Sequence, residues 1–230
     1  MIVKKWEKLP QFMQVEEVRP YYEYLRKKKI SLILKRLFDI FMSFLMIILL
    51  SPVLLFIALW IKCDSKGPVF YRQVRITQYG REFRIFKFRT MVVDADKTGS
   101  LVTVANDDRI TKVGNKIRKV RLDELPQLFN IFLGDMTFVG TRPEVKKYVD
   151  AYSNEMLATL LLPTGVTSQA SINYKDEDEI LNRIEKDLVD KTYIEDILPE
   201  KMKYNYEYMN KFNLINDLKI CFKTVFEVLK

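Results

Sequence analysis

Hydrophobic and polar positions divide the chain unevenly, and the sharpest boundary encloses residues 40–61, an uncharged and almost wholly apolar run from Ile40 to Ile61. As one helix this run would be about 33 Å long at 1.5 Å per residue, enough to cross a bilayer. Two features predict something other than a plain span. Ser51-Pro52 falls in its middle, where proline removes a backbone hydrogen bond and kinks or breaks an unadapted helix at a cost of ~3 kcal/mol. Both flanks are basic, with Arg26, Lys27, Lys28, Lys29, Lys35 and Arg36 before the run and Lys62, Lys66, Arg72 and Arg75 after it. The positive-inside rule places each flank in the cytoplasm. One span cannot satisfy that, whereas a helix-break-helix that enters and leaves the same leaflet can. The run starts too late and is too long for a cleavable signal peptide. The competing expectation is an ordinary anchor with a proline kink.

Elsewhere the patterns are shorter. Residues 1–34 interleave Trp6, Phe12, Tyr21, Tyr22 and Tyr24 with charges and show no clear period, an accessory arm suited to a membrane interface or to packing as a surface helix. Residues 67–75 and 84–91 alternate and are β-rich, which predicts short strands around the turn Gln78-Tyr79-Gly80-Arg81. In the second strand Arg84, Phe86 and Phe88 should share one face, leaving Lys87 and Arg89 as two cations on the other. Residues 94–109 are polar and predict a loop. Leu122, Leu125, Leu128, Phe129 and Phe132 recur at helical spacing, and Pro126 is tolerated only in a first turn, so a helix is expected to begin near Asp123 with that residue at or near the N-cap. Acids at 176–179 precede Ile180, Leu181, Ile184 and Leu188 and predict another helix start. Leu214, Leu218, Cys221, Phe222, Val225, Phe226 and Leu229 predict a last helix, either facing the core or lying on a membrane.

Composition narrows the chemistry. At 230 residues the chain is long enough for a sizeable core, and the absence of histidine removes Ser-His, Cys-His and His-metal arrangements. Acid-base or nucleophilic work falls to carboxylates, Lys, Tyr or Cys. Cys63 and Cys221 have no metal-ligand spacing and predict a reduced setting without a disulfide framework. A net charge of +8 suits anionic lipid, nucleotide phosphates or nucleic acid without choosing among them.

The candidate chemistry lies in residues 118–144. Asp123 and Glu124 stand side by side behind Arg118 and Arg121 and ahead of Arg142, and adjacent acids among cations point to a phosphate site. A helix N-terminus and nearby arginines would favour the ionised Asp123, by ~0.3–1 kcal/mol for the dipole alone. Such a carboxylate serves as a nucleophile or a metal ligand; a plain N-cap beside a solvated Glu is the simpler alternative. No G-x-G-x-x-G occurs, and Gly134 to Gly140 followed by Thr141-Arg142 has the wrong spacing for a P-loop and no lysine. Phosphates must then be held by side chains, with Lys87, Arg89, Arg118 and Arg142 as candidates. Asp94-Ala95-Asp96 is a D-x-D triplet of the kind that holds a divalent ion and a nucleotide diphosphate in some glycosyltransferases.

Six runs taken together resemble the bacterial sugar transferases of the monotopic phosphoglycosyl transferase family. They are Lys35 to Asp39, the apolar segment interrupted at Ser51-Pro52, Gly67 to Arg75, Phe86 to Met91, Leu122 to Asn130, and Gly134 to Glu144, with weaker similarity from Pro163 to Ser168 and from Asp217 to Ile220. The resemblance spans about residues 35–230 in order. It implies an α+β, mostly helical fold: an accessory arm (1–34), a re-entrant membrane helix-break-helix (35–62), and a compact cytosolic catalytic domain (63–230) with a small β element and interfacial amphipathic helices. It implies transfer of a sugar-1-phosphate from a UDP-sugar to a polyprenyl phosphate, releasing UMP, at the cytoplasmic face of the bacterial inner membrane. Asp123 would be the nucleophile, forming a phosphosugar-aspartate, and Glu124 its partner, as metal ligand or proton carrier. Mg²⁺ would be held by Asp123 and Glu124, with Arg118, Arg142 and Lys87 near the phosphates. The family's Gly-Pro-Arg-Pro reads Gly140-Thr-Arg-Pro143 here, and its Pro-Gly-Ile-Thr-Gly reads Pro163-Thr-Gly-Val-Thr-Ser168. Expected partners are the UDP-sugar, the polyprenyl phosphate and membrane lipid, with no nucleic acid. The alternatives are a membrane-anchored D-x-D glycosyltransferase releasing UDP, and a membrane-tethered basic scaffold without enzymatic activity.

Overall fold

The computed structural model describes residues 2–95, 108–174, 184 and 188–229. The acidic segment at 176–179 and Asp96 of the D-x-D triplet lie outside the described residues.

Helix α1 (Arg19–Lys27) leads into α2 (Lys29–Asp64), which carries the whole apolar run. The expected break at Ser51-Pro52 does not interrupt it. Pro52 has no N–H for the carbonyl of Ile48, and the Ser51 hydroxyl donates to that carbonyl at 2.8 Å, replacing the bond that proline removes. Along α2 the sequence Leu32, Lys35, Asp39, Ser43, Met46, Leu50, Leu54, Ile57 and Ile61 advances by three or four residues and packs against the rest of the fold. The opposite face exposes Phe41, Phe44, Leu45, Ile48, Leu49, Leu55, Phe56 and Leu59.

Two nested antiparallel pairs follow. Strand β2 (Val74–Ile76) pairs with β3 (Glu82–Arg84) across the predicted turn, and outside it β1 (Phe70–Tyr71) pairs with β4 (Lys87–Phe88). The alternation expected across the whole second segment fails at Phe86, between β3 and β4. Phe83 and Ile85 are buried before it and Phe88 and Arg89 after it, while Arg84 is exposed. Helix α3 (Lys112–Lys119), N-capped by the Thr111 hydroxyl on the amide of Gly114, precedes the short α4 (Gln127–Leu133). Gly134 ends α4 in a left-handed conformation, its amide donating to Asn130 and Ile131, a helix-terminating role in place of phosphate binding.

Strand β5 (Met136–Val139) runs parallel to β6 (Thr164–Thr167), joined through α5 (Lys146–Val149) and a 3₁₀ segment at Met156–Leu161. Beyond β6 come α6 (Gln169–Asn173), α7 (Val189–Thr192), a π-helical turn at Tyr193–Ile197, α8 (Leu198–Asn210) and α9 (Leu214–Leu229). Just after β5, Gly140 lies against Gly165 near the start of β6 so closely that a Cβ on Gly165 would lie 2.1 Å from the Gly140 amide nitrogen. This approach fixes the strand end from which Thr141 and Arg142 project.

The largest core joins the N-terminal residues Leu9, Met13, Val18 and Leu25 to Leu32 of α2, Leu160 to Leu162, and Met209 and Phe212. Residues of the arm therefore share one core with the C-terminal half. Two buried polar anchors fasten α2. Lys35 donates to Asp217 of α9 at 2.7 Å and to the Val139 carbonyl at 2.8 Å, and Asp39 accepts from the Thr137 hydroxyl at 2.8 Å. In helix α9 Asp217 and Ile220 face inward, while Ile215, Phe222, Val225 and Phe226 are exposed.

Candidate active site

The helix expected to begin near Asp123 begins four residues later. Arg121 adopts a left-handed backbone (φ 56°), a conformation rare for a residue with a side chain, and turns the chain out of α3 into the 3₁₀ turn Leu122–Glu124. Asp123 is consequently not an N-cap; Pro126 occupies that position before α4. Asn130, wholly buried on α4, accepts from the Phe86 amide at 2.8 Å and donates to the Arg84 carbonyl at 3.0 Å, holding this turn against the hairpin.

Both carboxylates reach a cleft of about 700 Å³, within the usual range for small-molecule sites, whose walls include Lys87, Arg118, Arg121 and Arg142. Lys87 donates to Glu124 at 2.8 Å, and Arg121 and Arg142 each approach the same oxygen at 4.0 Å. Burial pushes the Glu124 pKa up, but Lys87, Arg142 and Arg121 outweigh it and hold the carboxyl down at about 2. Asp123 goes the other way. Burial raises its pKa above the ordinary aspartate value, the adjacent Glu124 charge adds to the rise, and Lys87 and Arg118 offset it only in part. The expectation that a helix terminus would favour ionised Asp123 is corrected accordingly: the residue sits upstream of the helix, in a buried position, with Lys87 hydrogen-bonded to its neighbour. Two adjacent carboxyls thus have pKa values pushed apart by their surroundings, a pattern found at catalytic sites.

The structure brings together Asp123, Glu124, Lys87, Arg118 and Arg142 around the cleft. Arg89 lies in the same wall, but its guanidinium donates to the carbonyls of Ser65 and Lys66 at 2.8 and 2.6 Å and so fastens the end of α2. It keeps its expected place with Lys87 along the cleft wall, with two of its guanidinium nitrogens committed to these carbonyls. Asp94 also lines the cleft, in an exposed left-handed turn.

Sequence reasoning assigned no role to the other end of the cleft. There Arg75 donates to the carbonyl of Pro143 at 3.3 Å, and buried Glu144 accepts from the Tyr193 hydroxyl at 2.6 Å with Lys201 at 3.7 Å. The rings of Tyr148 and Tyr193 lie 4.5 Å apart. The one signal in the sequence was the adjacency of Glu144 to Arg142; the tyrosines come from distant segments with no shared pattern.

Among the described residues no cluster of three or more acidic or cysteine side chains could enclose a metal ion. Asp123 and Glu124 alone still suit Mg²⁺, which commonly binds through one or two carboxylates together with substrate phosphates and water.

Comparison with known proteins shows the family to which the chain belongs. Residues 30–230 match the family model described as bacterial sugar transferase. The chain is 37% identical over 202 residues to a UDP-glucose:undecaprenyl-phosphate glucose-1-phosphate transferase of Klebsiella pneumoniae, covering 86% of this chain and 40% of that protein. It is 34% identical over 202 residues to a UDP-N-acetylgalactosamine-undecaprenyl-phosphate N-acetylgalactosaminephosphotransferase of Aeromonas hydrophila, covering 85% of this chain and 44% of that protein. This chain therefore spans less than half the length of those two relatives. An uncharacterized sugar transferase EpsL of Bacillus subtilis is 32% identical over 198 residues, covering 86% of this chain and 88% of that protein.

Proposed function

Because the chain belongs to the bacterial sugar transferase family, we propose that it transfers a sugar-1-phosphate from a UDP-sugar to a polyprenyl phosphate, yielding polyprenyl diphosphate-sugar and UMP and beginning the assembly of a membrane-bound glycan. The observation that carries this reading is the pairing of a buried Asp123 with a firmly ionised Glu124 in a cleft ringed by Lys87, Arg118 and Arg142.

In the first step the Asp123 carboxylate attacks the sugar-bearing phosphorus of the UDP-sugar, the bond to the UMP oxygen breaks, and a phosphosugar-aspartate remains. In the second a polyprenyl phosphate oxygen attacks the same phosphorus and Asp123 leaves as a carboxylate. Arg118 and Arg142 offset the negative charge gathered on the phosphoryl oxygens, the effect that dominates phosphoryl transfer. Bound Mg²⁺ would neutralise diphosphate charge. Held ionised by Lys87, Arg142 and Arg121, Glu124 is assigned to metal and cation binding, because a carboxyl pulled down to about 2 has no proton to donate and is a weak base near neutral pH. The assay is the nucleotide product from purified protein given a panel of UDP-sugars and polyprenyl phosphate. UMP is expected; UDP would favour the D-x-D alternative, and the lack of any nucleotide product would exclude both enzymes.

The same reading includes a monotopic placement at the cytoplasmic face of the inner membrane. A helix of 36 residues, about 54 Å long, that docks one face on the domain along its length cannot cross a bilayer without drawing the domain in with it. The exposed apolar faces of α2 and α9 would be immersed in lipid while both ends of α2 remain on one side. Labels at residues 20 and 100 are expected to be reachable from the cytoplasmic side alone. Reaction of residue 20 from the outside would contradict this topology.

A further inference from the structure

A second cavity, of about 510 Å³, lies on the other side of Glu124 from the first. The two share Lys119, Arg121, Glu124 and Arg142, so one set of charged side chains forms their common boundary. Away from that boundary the second cavity is predominantly apolar, with Leu128 and Ile131 of α4, Val166 of β6 and Ile172 of α6 in its walls. It also reaches Met46 on α2 and Thr224 and Glu227 on α9. These two helices carry the exposed aromatics Phe44, Phe222 and Phe226, and the Thr167 and Thr224 hydroxyls, 2.6 Å apart, join β6 to α9 beside the cavity.

We infer that this cavity is the acceptor subsite: it holds the first isoprene units of the polyprenyl phosphate and presents the phosphate to Asp123 across the Arg121–Arg142 boundary. The inference rests on the transferase reading above and adds where the lipid enters. A molecule with an anionic head and a long apolar chain behind it matches a cationic junction that opens into a largely apolar cavity beside α2. A second nucleotide matches less well: Gln127, Thr167, Ser171, Thr224 and Glu227 lie among the apolar side chains beyond the boundary, but that part of the wall adds a carboxylate and no further cation for a diphosphate. In-line attack in both steps places UMP and then the acceptor phosphate at the same position opposite Asp123, so the acceptor phosphate would reach across the shared boundary to the place UMP vacates.

Val166→Phe places added bulk in this cavity at a half-buried position remote from the first cleft. In the full-length protein in lipid nanodiscs, the KM for polyprenyl phosphate is expected to rise roughly 10-fold or more, the scale of a misfit in an apolar pocket, while the KM for the UDP-sugar stays within about twofold. An unchanged acceptor KM in an active variant would overturn the inference. Should the variant lose all turnover, photolabelling of the unmodified protein decides. A polyprenyl phosphate bearing a diazirine on its first isoprene unit should label residues 125–131 or 166–172, and unlabelled polyprenyl phosphate should compete. Labelling confined to the lipid-facing side of α2, at residues 41–49, would refute the subsite. Absence of UMP from the unmodified protein supplied with both substrates would instead reject the transferase reading beneath it.

Discussion

Asp123→Asn is expected to lower turnover by roughly 10⁴-fold or more, the scale seen when a covalent nucleophile is removed, without loss of stability. The second half of that expectation comes from its pKa. Burial raises the folded-state value above the ordinary one, so above both values the folded protein bears a cost that the unfolded chain does not. An amide removes the charge and that cost, and the melting temperature near neutral pH should be unchanged or higher. The active form is the carboxylate, so kcat/KM for the UDP-sugar should fall as pH drops through the raised Asp123 pKa. Its acid limb should sit above the usual aspartate range. Glu124→Gln removes the repelling neighbour and frees Lys87 to face Asp123, and the acid limb of whatever activity remains should move to lower pH. Stopped turnover with a sharply lowered melting temperature would make Asp123 a structural residue.

Asp217→Ala is expected to destabilise the protein by about 3–5 kcal/mol, because the buried Lys35 ammonium loses its hydrogen-bonded carboxylate and keeps only Asp39 as a nearby counter-charge. For a chain of this size that is a drop in Tm of roughly 6–20 °C. The Tyr208 hydroxyl loses its bond to Asp217 at 2.8 Å and keeps only the longer one to the Val139 carbonyl at 3.2 Å. Lys35→Met combined with Asp217→Leu should recover only part of the loss, since apolar volume replaces the pair but Asp39 is then buried without the Lys35 charge. Activity should fall in the single variant, because Lys35 also holds the Val139 carbonyl, three residues before Arg142. Thermal unfolding in detergent reads the effect, and an unchanged Tm would show that the pair contributes little.

Much of the site was legible in sequence because its chemistry is local: Asp123, Glu124 and their arginines lie in one stretch, and the hairpin was signalled by its turn. Where the readings failed, the physical cause is specific. Pro52 implied a break, yet the adjacent Ser51 supplies the hydrogen bond that proline removes, a compensation that a period or hydropathy pattern does not register. Asp123 was placed at an N-cap because Pro126 fits a first turn, but the left-handed Arg121 inserts a 3₁₀ turn first. Alternation put Arg84, Phe86 and Phe88 on one face, but Arg84 is exposed and Phe88 buried, because the strand is interrupted at Phe86. The Glu144, Tyr148 and Tyr193 group was invisible because its members meet only through tertiary packing, as do the arm residues Leu9, Met13 and Val18, which are buried without any helical or strand period.

The most direct test of the central claim is isotope exchange together with trapping of the intermediate. With Mg²⁺ present and polyprenyl phosphate absent, labelled UMP should pass into UDP-sugar, because a phosphosugar on Asp123 can be returned to UMP. Label carried on the sugar should stay with the denatured protein in a hydroxylamine-sensitive linkage that peptide mapping places at Asp123. Failure of both, in protein shown to make polyprenyl diphosphate-sugar and UMP, would mean a single displacement with Asp123 as a metal ligand, and would contradict the mechanism.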